Sequence, residues 1–321
     1  MPAASQPEIE IALIGAQRGA VVEQLARRFK LHSVWDAPDP KALLKDIGPR
    51  IRGAVGHGMA GLSRAYMDLM PHLEICALNG VGLETTDLAG ARERGIVVTI
   101  TPVLYDDVAD LAIGLALAAC RRLVAGEQLV RSGAWAANPA APRPQGRKFT
   151  GMRVGIVGLG RIGQEIARRL EGFRTIIGYV DPVPRDVAYR RYPDAVALAR
   201  DSDVLFLAAA GAPRGKAAPI IDRAVIEALG PRGTFVQVAR GWLGVEPALV
   251  EALIAGRLGA AGLDVYDNEP HVPEALFKLT NVVLTPHIAS STEETIKAMG
   301  DCVVENLVSW FDGRGAVTPA G

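Results

Sequence analysis

Three side chains in the second half of the sequence have the types needed to reduce a carbonyl group. They are Arg240 in Val-Ala-Arg-Gly, Glu269 in Asp-Asn-Glu-Pro and His287 in Thr-Pro-His-Ile, and each follows a predicted strand. A guanidinium can clamp a substrate carboxylate and polarise its carbonyl with planar donors. A protonated imidazole can give its proton to a developing alkoxide, and a carboxylate on its far nitrogen favours that charged form.

The segment from Arg153 to Leu170 reads as a strand, a glycine turn and a helix. Its Gly-Leu-Gly-Arg-Ile-Gly turn follows a short apolar run. In such a turn Gly158 allows a tight reversal, Gly160 lets the backbone approach a pyrophosphate, and Gly163 lets the helix lie close to its strand. The free N–H groups and the positive dipole end of the helix favour phosphate. The spacing alone is weak evidence, because 35 of the 321 residues are glycine.

A second apolar run supplies the context for this turn, because it ends in Asp181. That residue stands about 20 residues beyond the glycines, where a dinucleotide fold places the carboxylate that holds the adenosine ribose hydroxyls. The alternative is that Asp181 merely begins a turn with Pro182. A carboxylate there repels a 2′-phosphate, so the sequence predicts NAD as cofactor. Arg185, four residues on, keeps NADP possible.

Taken singly, each of the three polar residues has an ordinary structural interpretation. Arg240 could be a surface charge at a strand end, Glu269 a solvated loop acid, and His287 a loop histidine satisfied by backbone groups. Carboxyl ends of strands in a dinucleotide-binding sheet face the ligand crevice. Together at such ends, the three residues favour a dehydrogenase site.

Composition narrows the classes of partner. Lys+Arg and Asp+Glu each total 35 and the isoelectric point is near 7.0, so the chain lacks the charge expected for nucleic acid or membrane binding. The first residues have neither the charged nor the apolar region of a signal peptide. The three cysteines and five histidines show no metal-ligand spacing. We therefore expect a cytoplasmic protein with a small-molecule partner and no metal.

Alternation of short apolar runs with helical periodicity predicts two α/β layers. A long helix is expected over 106–129, followed by a surface arm rich in Pro, Gly and Ala that contains Trp135. We expect a doubly wound parallel (Rossmann) cofactor domain at 101–287. It is inserted into a smaller, flavodoxin-like α/β domain made of 1–100 and 288–321. Trp135 could dock on a second subunit or fold against its own chain.

Four motifs in order resemble the D-isomer-specific 2-hydroxyacid dehydrogenase family, particularly its glyoxylate/hydroxypyruvate reductase branch. They are Gly-Leu-Gly-Arg-Ile-Gly, Val-Ala-Arg-Gly, Ala-Gly-Leu-Asp-Val-Tyr-Asp-Asn-Glu-Pro and Leu-Thr-Pro-His-Ile-Ala-Ser, within a likeness running from about Val55 to Trp310. The resemblance implies that Arg240 orients substrate, that Glu269 pairs with His287, and that His287 donates the proton. It also implies a homodimer formed through the cofactor domain and its arm.

The resemblance implies further contacts with cofactor and substrate. Arg161 and Ile162 would lie at the pyrophosphate and Asp264 near the nicotinamide carboxamide, and the cofactor-binding set also includes Val238 and Ala239. The backbone at Val81 and Gly82 would hold the substrate carboxylate, with His57 and Gly58 as further substrate-binding residues.

The implied activity is NAD(P)H-dependent reduction of a small 2-keto acid to the D-2-hydroxy acid. The chain departs from the family pattern at Asp181-Pro182, where the branch often has Ser-Arg, which moves the expected cofactor toward NAD. It also departs at Ile100, His57 and Met59, so the substrate is open. The alternative is a corepressor-like protein that uses the same fold to sense NAD(H).

Overall fold

The computed structural model describes residues 8–211 and 213–320, which divide into two compact units. One unit comprises the chain up to Leu104 together with the segment from Thr292 onward, and the other is Tyr105–Ser291. Each unit is built on its own parallel sheet. None of the described helices combines the length and the apolar content needed to cross a bilayer.

The discontinuous unit contains five parallel strands in the order β2-β1-β3-β4-β5. This is the flavodoxin-like order. The strands are β1 (Glu10–Leu13), β2 (Lys30–Ser33), β3 (Ile51–His57), β4 (Ile75–Asn79) and β5 (Val97–Thr99). Its helices are α1 (Gly19–Ala26), α2 (Pro40–Ile47), α3 (Arg64–Met67), α4 (Leu88–Glu93) and, after the inserted unit, α12 (Glu293–Phe311). The expected fold class of this part is confirmed.

The C-terminal helix closes the apolar face of this first sheet. The side chain of Thr292 caps α12 by accepting a hydrogen bond from the Thr295 N–H. Val303 and Leu307 on the helix are fully buried in one cluster with Ile11 and Val55 of the sheet. Burial of such side chains stabilises the unit by about 1.5–3 kcal/mol each. This packing makes the C-terminal segment part of the unit formed by the first 104 residues.

The inserted unit has a seven-stranded sheet in the order β12-β11-β10-β9-β6-β7-β8, with all recorded strand pairs parallel. This is the Rossmann order with one additional strand. Successive strands are added on one side of β6 from β6 to β8 and on its other side from β9 to β12. The strands are β6 (Arg153–Val157), β7 (Ile176–Val180), β8 (Arg190–Arg191), β9 (Val204–Leu207), β10 (Thr234–Gln237), β11 (Ala260–Leu263) and β12 (Val282–Leu284). The predicted doubly wound sheet is confirmed.

The helices of this unit agree with the sequence-based expectation except where one predicted helix is divided into two. They are α5 (Tyr105–Cys120), α6 (Leu123–Arg131), α7 (Ala134–Ala137), α8 (Arg161–Glu171), α9 (Ala195–Arg200), α10 (Arg223–Leu229) and α11 (Glu246–Ile254). The prediction of a single helix over 106–129 is wrong, because α5 and α6 are separate helices. Arg122 adopts left-handed backbone with φ of 57°, which ends α5 and turns the chain into α6.

Candidate active site

The glycine turn connects β6 to α8 with the geometry that its sequence predicts. Gly158 has φ of 90°, and a Cβ added there would lie 2.4 Å from the Cα of Ala209. A Cβ on Gly163 would lie 2.1 Å from the carbonyl oxygen of Gly158. A larger residue at position 158 would clash with Ala209, and one at position 163 would force α8 away from the turn.

Gly160 provides open space at the start of α8. It is the N-cap residue, has extended backbone and places no side chain on the first turn. A Cβ added there would meet no described atom within 4 Å. An uncapped helix N-terminus with room above it suits a pyrophosphate, so these residues fit the phosphates of a dinucleotide.

Asp181 follows β7 and is held in a fixed orientation. Its Oδ2 accepts the N–H of Leu159 at 2.8 Å, and its Oδ1 accepts that of Val183 at 2.9 Å. The Nη2 of Arg185 lies 3.2 Å from Oδ1. The carboxylate therefore ties the end of β7 to the glycine turn, at the place where a dinucleotide fold has the acid that holds the adenosine ribose. It also engages the cation that could otherwise receive a 2′-phosphate.

The other expected cofactor residues surround this turn or follow β10. Arg161 is exposed on the first turn of α8, where Nη1 donates to the Tyr105 hydroxyl at 2.7 Å. Ile162 is half-buried beside it. Val238 and Ala239 are buried at the carboxyl end of β10. Backbone groups, rather than side chains, are therefore what these two residues can offer to a bound cofactor.

Glu269 and His287 are brought into direct contact. Oε2 of Glu269 lies 2.7 Å from Nδ1 of His287, and Oε1 accepts the N–H of Tyr266 at 3.0 Å. The Glu269 side chain is 17% exposed, whereas that of His287 is 40% exposed. The carboxylate is thus fixed by two donors, while the imidazole keeps an accessible edge.

The pKa of Glu269 is held below its ordinary value despite burial. Burial is the largest influence and raises this pKa, but the hydrogen bonds from His287 and Tyr266 lower it. The charges of His287 and Arg240 lower it further. The influence of Arg240 places its guanidinium within electrostatic reach of the pair.

Arg240 follows β10 and begins a short 3-10 helix, Gly241–Leu243. The side chain is half-buried, and its Nη1 donates to the carbonyl oxygen of Ala239 at 2.8 Å. All three sequence-predicted residues, Arg240, Glu269 and His287, therefore follow neighbouring strands β10, β11 and β12 at the carboxyl edge of one sheet.

Asp264 supports the loop that carries His287. It is fully buried, and its carboxylate accepts hydrogen bonds from the Thr285 hydroxyl and from the N–H groups of Ile288 and Ala289. Three donors thus enclose the carboxylate at the carboxyl end of β11, beside the His287 loop, and the expected position of Asp264 near the nicotinamide carboxamide stays a prediction. His287 itself has left-handed backbone with φ of 54°, a costly conformation that this enclosure sustains.

The expected substrate-binding residues lie at the carboxyl edge of the other sheet. His57 ends β3, and its Nδ1 accepts the Met59 N–H at 3.2 Å. Burial lowers the pKa of His57, which favours the neutral ring. Gly58 is half-buried, and its carbonyl oxygen accepts the Thr85 hydroxyl at 3.0 Å. Val81 is half-buried and Gly82 is buried, just beyond β4.

Sequence reasoning missed two residues whose hydrogen bonds hold the loops of this site. Gln237 donates to the carbonyl oxygens of Arg240 and Gly241, and Glu246 accepts the Asp267 N–H. Gln237 stands immediately before the Val-Ala-Arg-Gly motif, and a polar residue at the end of a buried strand could have drawn attention to it. Glu246 had no such signal, since an acid in the first turn of a helix is ordinary.

The chain is similar to known proteins over most of its length. Residues 113–289 match the family described as D-isomer specific 2-hydroxyacid dehydrogenase, NAD binding domain. Glyoxylate/hydroxypyruvate reductase A HPR2 of Arabidopsis thaliana is 45% identical over 303 residues, 92% of this chain and 94% of that protein. Hydroxyphenylpyruvate reductase of Plectranthus scutellarioides is 46% identical over 299 residues, with the same two coverages of 92% and 94%.

A solved structure extends the likeness to three dimensions. The NADPH-dependent glyoxylate/hydroxypyruvate reductase of Sinorhizobium meliloti, solved with citrate, is 40% identical with a TM-score of 0.89, over 98% of this chain and 97% of that one. The likeness therefore covers both units. The chain belongs to the D-isomer specific 2-hydroxyacid dehydrogenase family.

Proposed function

We propose that this protein reduces a small 2-keto acid of the glyoxylate or hydroxypyruvate type to the D-2-hydroxy acid. The observation that carries the proposal is the 2.7 Å contact between Glu269 and His287, with the charge of Arg240 acting on the same carboxylate. Relatives named as reductases of such acids support it.

The chemistry divides between the cofactor and three side chains. A bound reduced nicotinamide supplies the hydride. Arg240 binds the substrate carboxylate with planar donors and polarises the carbonyl. His287 protonates the alkoxide from Nε2, because Glu269 occupies Nδ1 and keeps the ring oriented with its proton-donating edge toward the open side.

We assign the binding of the adenosine ribose to Asp181 and infer a preference for NAD over NADP. The buried carboxylate repels a 2′-phosphate, and its pairing with Arg185 at 3.2 Å partly neutralises the cation that NADP would use. The Sinorhizobium meliloti reductase is NADPH-dependent, so the preference that we propose rests on Asp181 of this chain and not on the likeness.

The discontinuous unit is proposed as the substrate-binding domain and Tyr105–Ser291 as the NAD-binding domain. The backbone at Val81 and Gly82 would hold the substrate carboxylate, and His57 and Gly58 would face the rest of the substrate. Support comes from their position at the carboxyl edge of a parallel sheet, where such sheets bind ligands.

A homodimer is proposed to form through the cofactor domain, at helix α6 and the arm that follows it and contains α7. Both helices lie within the described residues, and neither buries a side chain. They expose Leu123, Val130 and Trp135 by 55%, 57% and 45%. An exposed apolar group of this kind is typical of a subunit contact. We further propose a cytoplasmic location, which the buried free thiols of Cys76, Cys120 and Cys302 support.

A panel of 2-keto acids, each assayed with NADH and with NADPH by the loss of nicotinamide absorbance, tests the proposal. Turnover of glyoxylate or hydroxypyruvate with a D-configured product where the product is chiral is the expected result. Nucleotide binding without turnover of any acid would instead favour an NAD(H)-sensing, corepressor-like protein of the same fold.

A further inference from the structure

Two polar side chains outside the proposed catalytic set bond to the loops of the site: Gln237 to the loop that carries Arg240, and Glu246 to the loop that carries Glu269. We propose that Gln237 and Glu246 are positioning residues of the reductase site. They hold the backbones of the two loops in a fixed relative position, so that the guanidinium of Arg240 and the Glu269–His287 pair act on the same substrate. The inference rests on the proposed function of that site.

Gln237 fixes the turn that carries Arg240. It ends β10 and is 4% exposed, and its Nε2 donates to the carbonyl oxygens of Arg240 at 3.0 Å and Gly241 at 3.2 Å. Its Oε1 is buried and accepts no hydrogen bond from residues 8–211 and 213–320. A buried acceptor without a donor lowers stability, so this side chain is better suited to ordering the turn than to stabilising the fold.

Gly241 brings that turn into direct contact with the Glu269 loop. A Cβ added to Gly241 would lie 1.9 Å from the carbonyl oxygen of Tyr266 and 2.3 Å from the nitrogen of Asp267. The N–H of Tyr266 is the donor to Oε1 of Glu269. A shift of the Arg240 turn is therefore transmitted through the Tyr266 backbone to the carboxylate that orients His287.

Glu246 bonds to the same loop through a second contact. It begins α11 and is half-buried, and its Oε2 accepts the N–H of Asp267 at 3.1 Å. This contact needs an oxygen at a set distance and does not need a negative charge. An amide of equal length could replace it, whereas a shorter carboxylate could not reach.

Because the contact depends on the length of the side chain at position 246, two variants of that residue form a matched pair. Glu246→Gln keeps the acceptor and loses the charge, and Glu246→Asp keeps the charge and loses the reach. We expect Glu246→Gln to keep kcat within about twofold and Glu246→Asp to lower it about 10- to 100-fold, as misplaced catalytic groups do. The dissociation constant for NADH should be unchanged in both, because the glycine turn and Asp181 are untouched.

Gln237→Met supplies an independent variant, because it keeps the length and apolar volume but has no donor. It should lower kcat to a similar extent while the protein still binds NADH. Equal kcat values for wild type, Glu246→Asp and Gln237→Met would overturn the inference, as would a loss in Glu246→Gln equal to that in Glu246→Asp.

A second readout separates this inference from the proposed function. The ring ¹⁵N chemical shifts of His287 should change in Glu246→Asp and stay near wild type in Glu246→Gln, whether or not a keto acid is turned over. Unchanged shifts in Glu246→Asp would overturn the positioning role. Absence of turnover by the wild-type enzyme would overturn the reductase assignment alone.

Discussion

Oε2 of Glu269 lies 2.7 Å from Nδ1 of His287, while Oε1 of the same carboxylate accepts the N–H of Tyr266. One carboxylate thus connects the loop after β11 to the loop after β12. The contact orients the histidine ring through Nδ1 and leaves Nε2 unoccupied by Glu269. The activity that we propose depends on this relationship.

The pH dependence of stability should reveal the Glu269 interaction. The folded-state pKa of Glu269 lies below its ordinary value of 4.5. Its contribution is therefore present above about pH 4.5 and lost as the pH falls through the folded-state pKa. We expect the difference in unfolding temperature between wild type and Glu269→Gln to be largest above pH 4.5 and to shrink below it. A difference that stays constant down to pH 3 would contradict this contribution, since other carboxylates are common to both proteins.

Asp181 should control the choice between the two cofactors. Replacing it with Ser removes the like charge and releases Arg185 from its ion pair, so the ratio of kcat/KM for NADH to that for NADPH should fall about tenfold or more. The double variant Asp181→Ser with Arg185→Ala should keep only part of the NADPH gain, because the released cation is gone while the repelling carboxylate is still absent. A ratio that stays at its wild-type value in Asp181→Ser would show that another group binds the ribose.

Replacing Gly160 should weaken NADH binding, whereas replacing Gly163 should lower the stability of the protein. In Gly160→Ala the added methyl group meets no described atom within 4 Å, so the unfolding temperature should be kept while NADH binding weakens. In Gly163→Ala the methyl group would lie 2.1 Å from the Gly158 carbonyl oxygen, which should destabilise the protein by about 1–3 kcal/mol. Thermal unfolding and NADH fluorescence titration measure the two effects. Tight NADH binding by Gly160→Ala would refute the assigned pyrophosphate site.

Helix α6 and the arm that follows it should control assembly. Light scattering should give twice the chain mass of 33.9 kDa for the wild type, and a smaller mass when Leu123 and Trp135 are both changed to Ser. Ile254→Ser is the control, because Ile254 is 59% exposed on α11 outside the arm. A dimer unaffected by the arm substitutions would place the subunit contact elsewhere.

The sequence predicted the parts of the site that follow from local motifs. Glycine spacing, an acid after β7 and polar residues after three strands each have a direct geometric meaning in a doubly wound sheet. The neighbouring placement of Arg240, Glu269 and His287 follows because consecutive strands of such a sheet end at the same edge. These relationships require no knowledge of distant packing.

Other features depend on contacts that no local pattern encodes. The helical spacing runs through Arg122, yet a single left-handed residue ends α5 there. Ile100 donates to the carbonyl oxygen of Thr318 at 3.1 Å and accepts the Thr318 hydroxyl at 2.5 Å. The unusual residue therefore belongs to a pairing with the C-terminal segment. The role of Gln237 likewise depends on a turn whose shape the sequence does not specify.

The most direct test of the proposed reduction compares wild type with His287→Ala in NADH consumption under saturating glyoxylate, with NADH affinity measured in parallel. Loss of the general acid should lower kcat by about 10²–10⁴-fold while the dissociation constant for NADH stays at its wild-type value. A His287→Ala enzyme that consumes NADH at the wild-type rate would contradict the assignment of His287 as the proton donor.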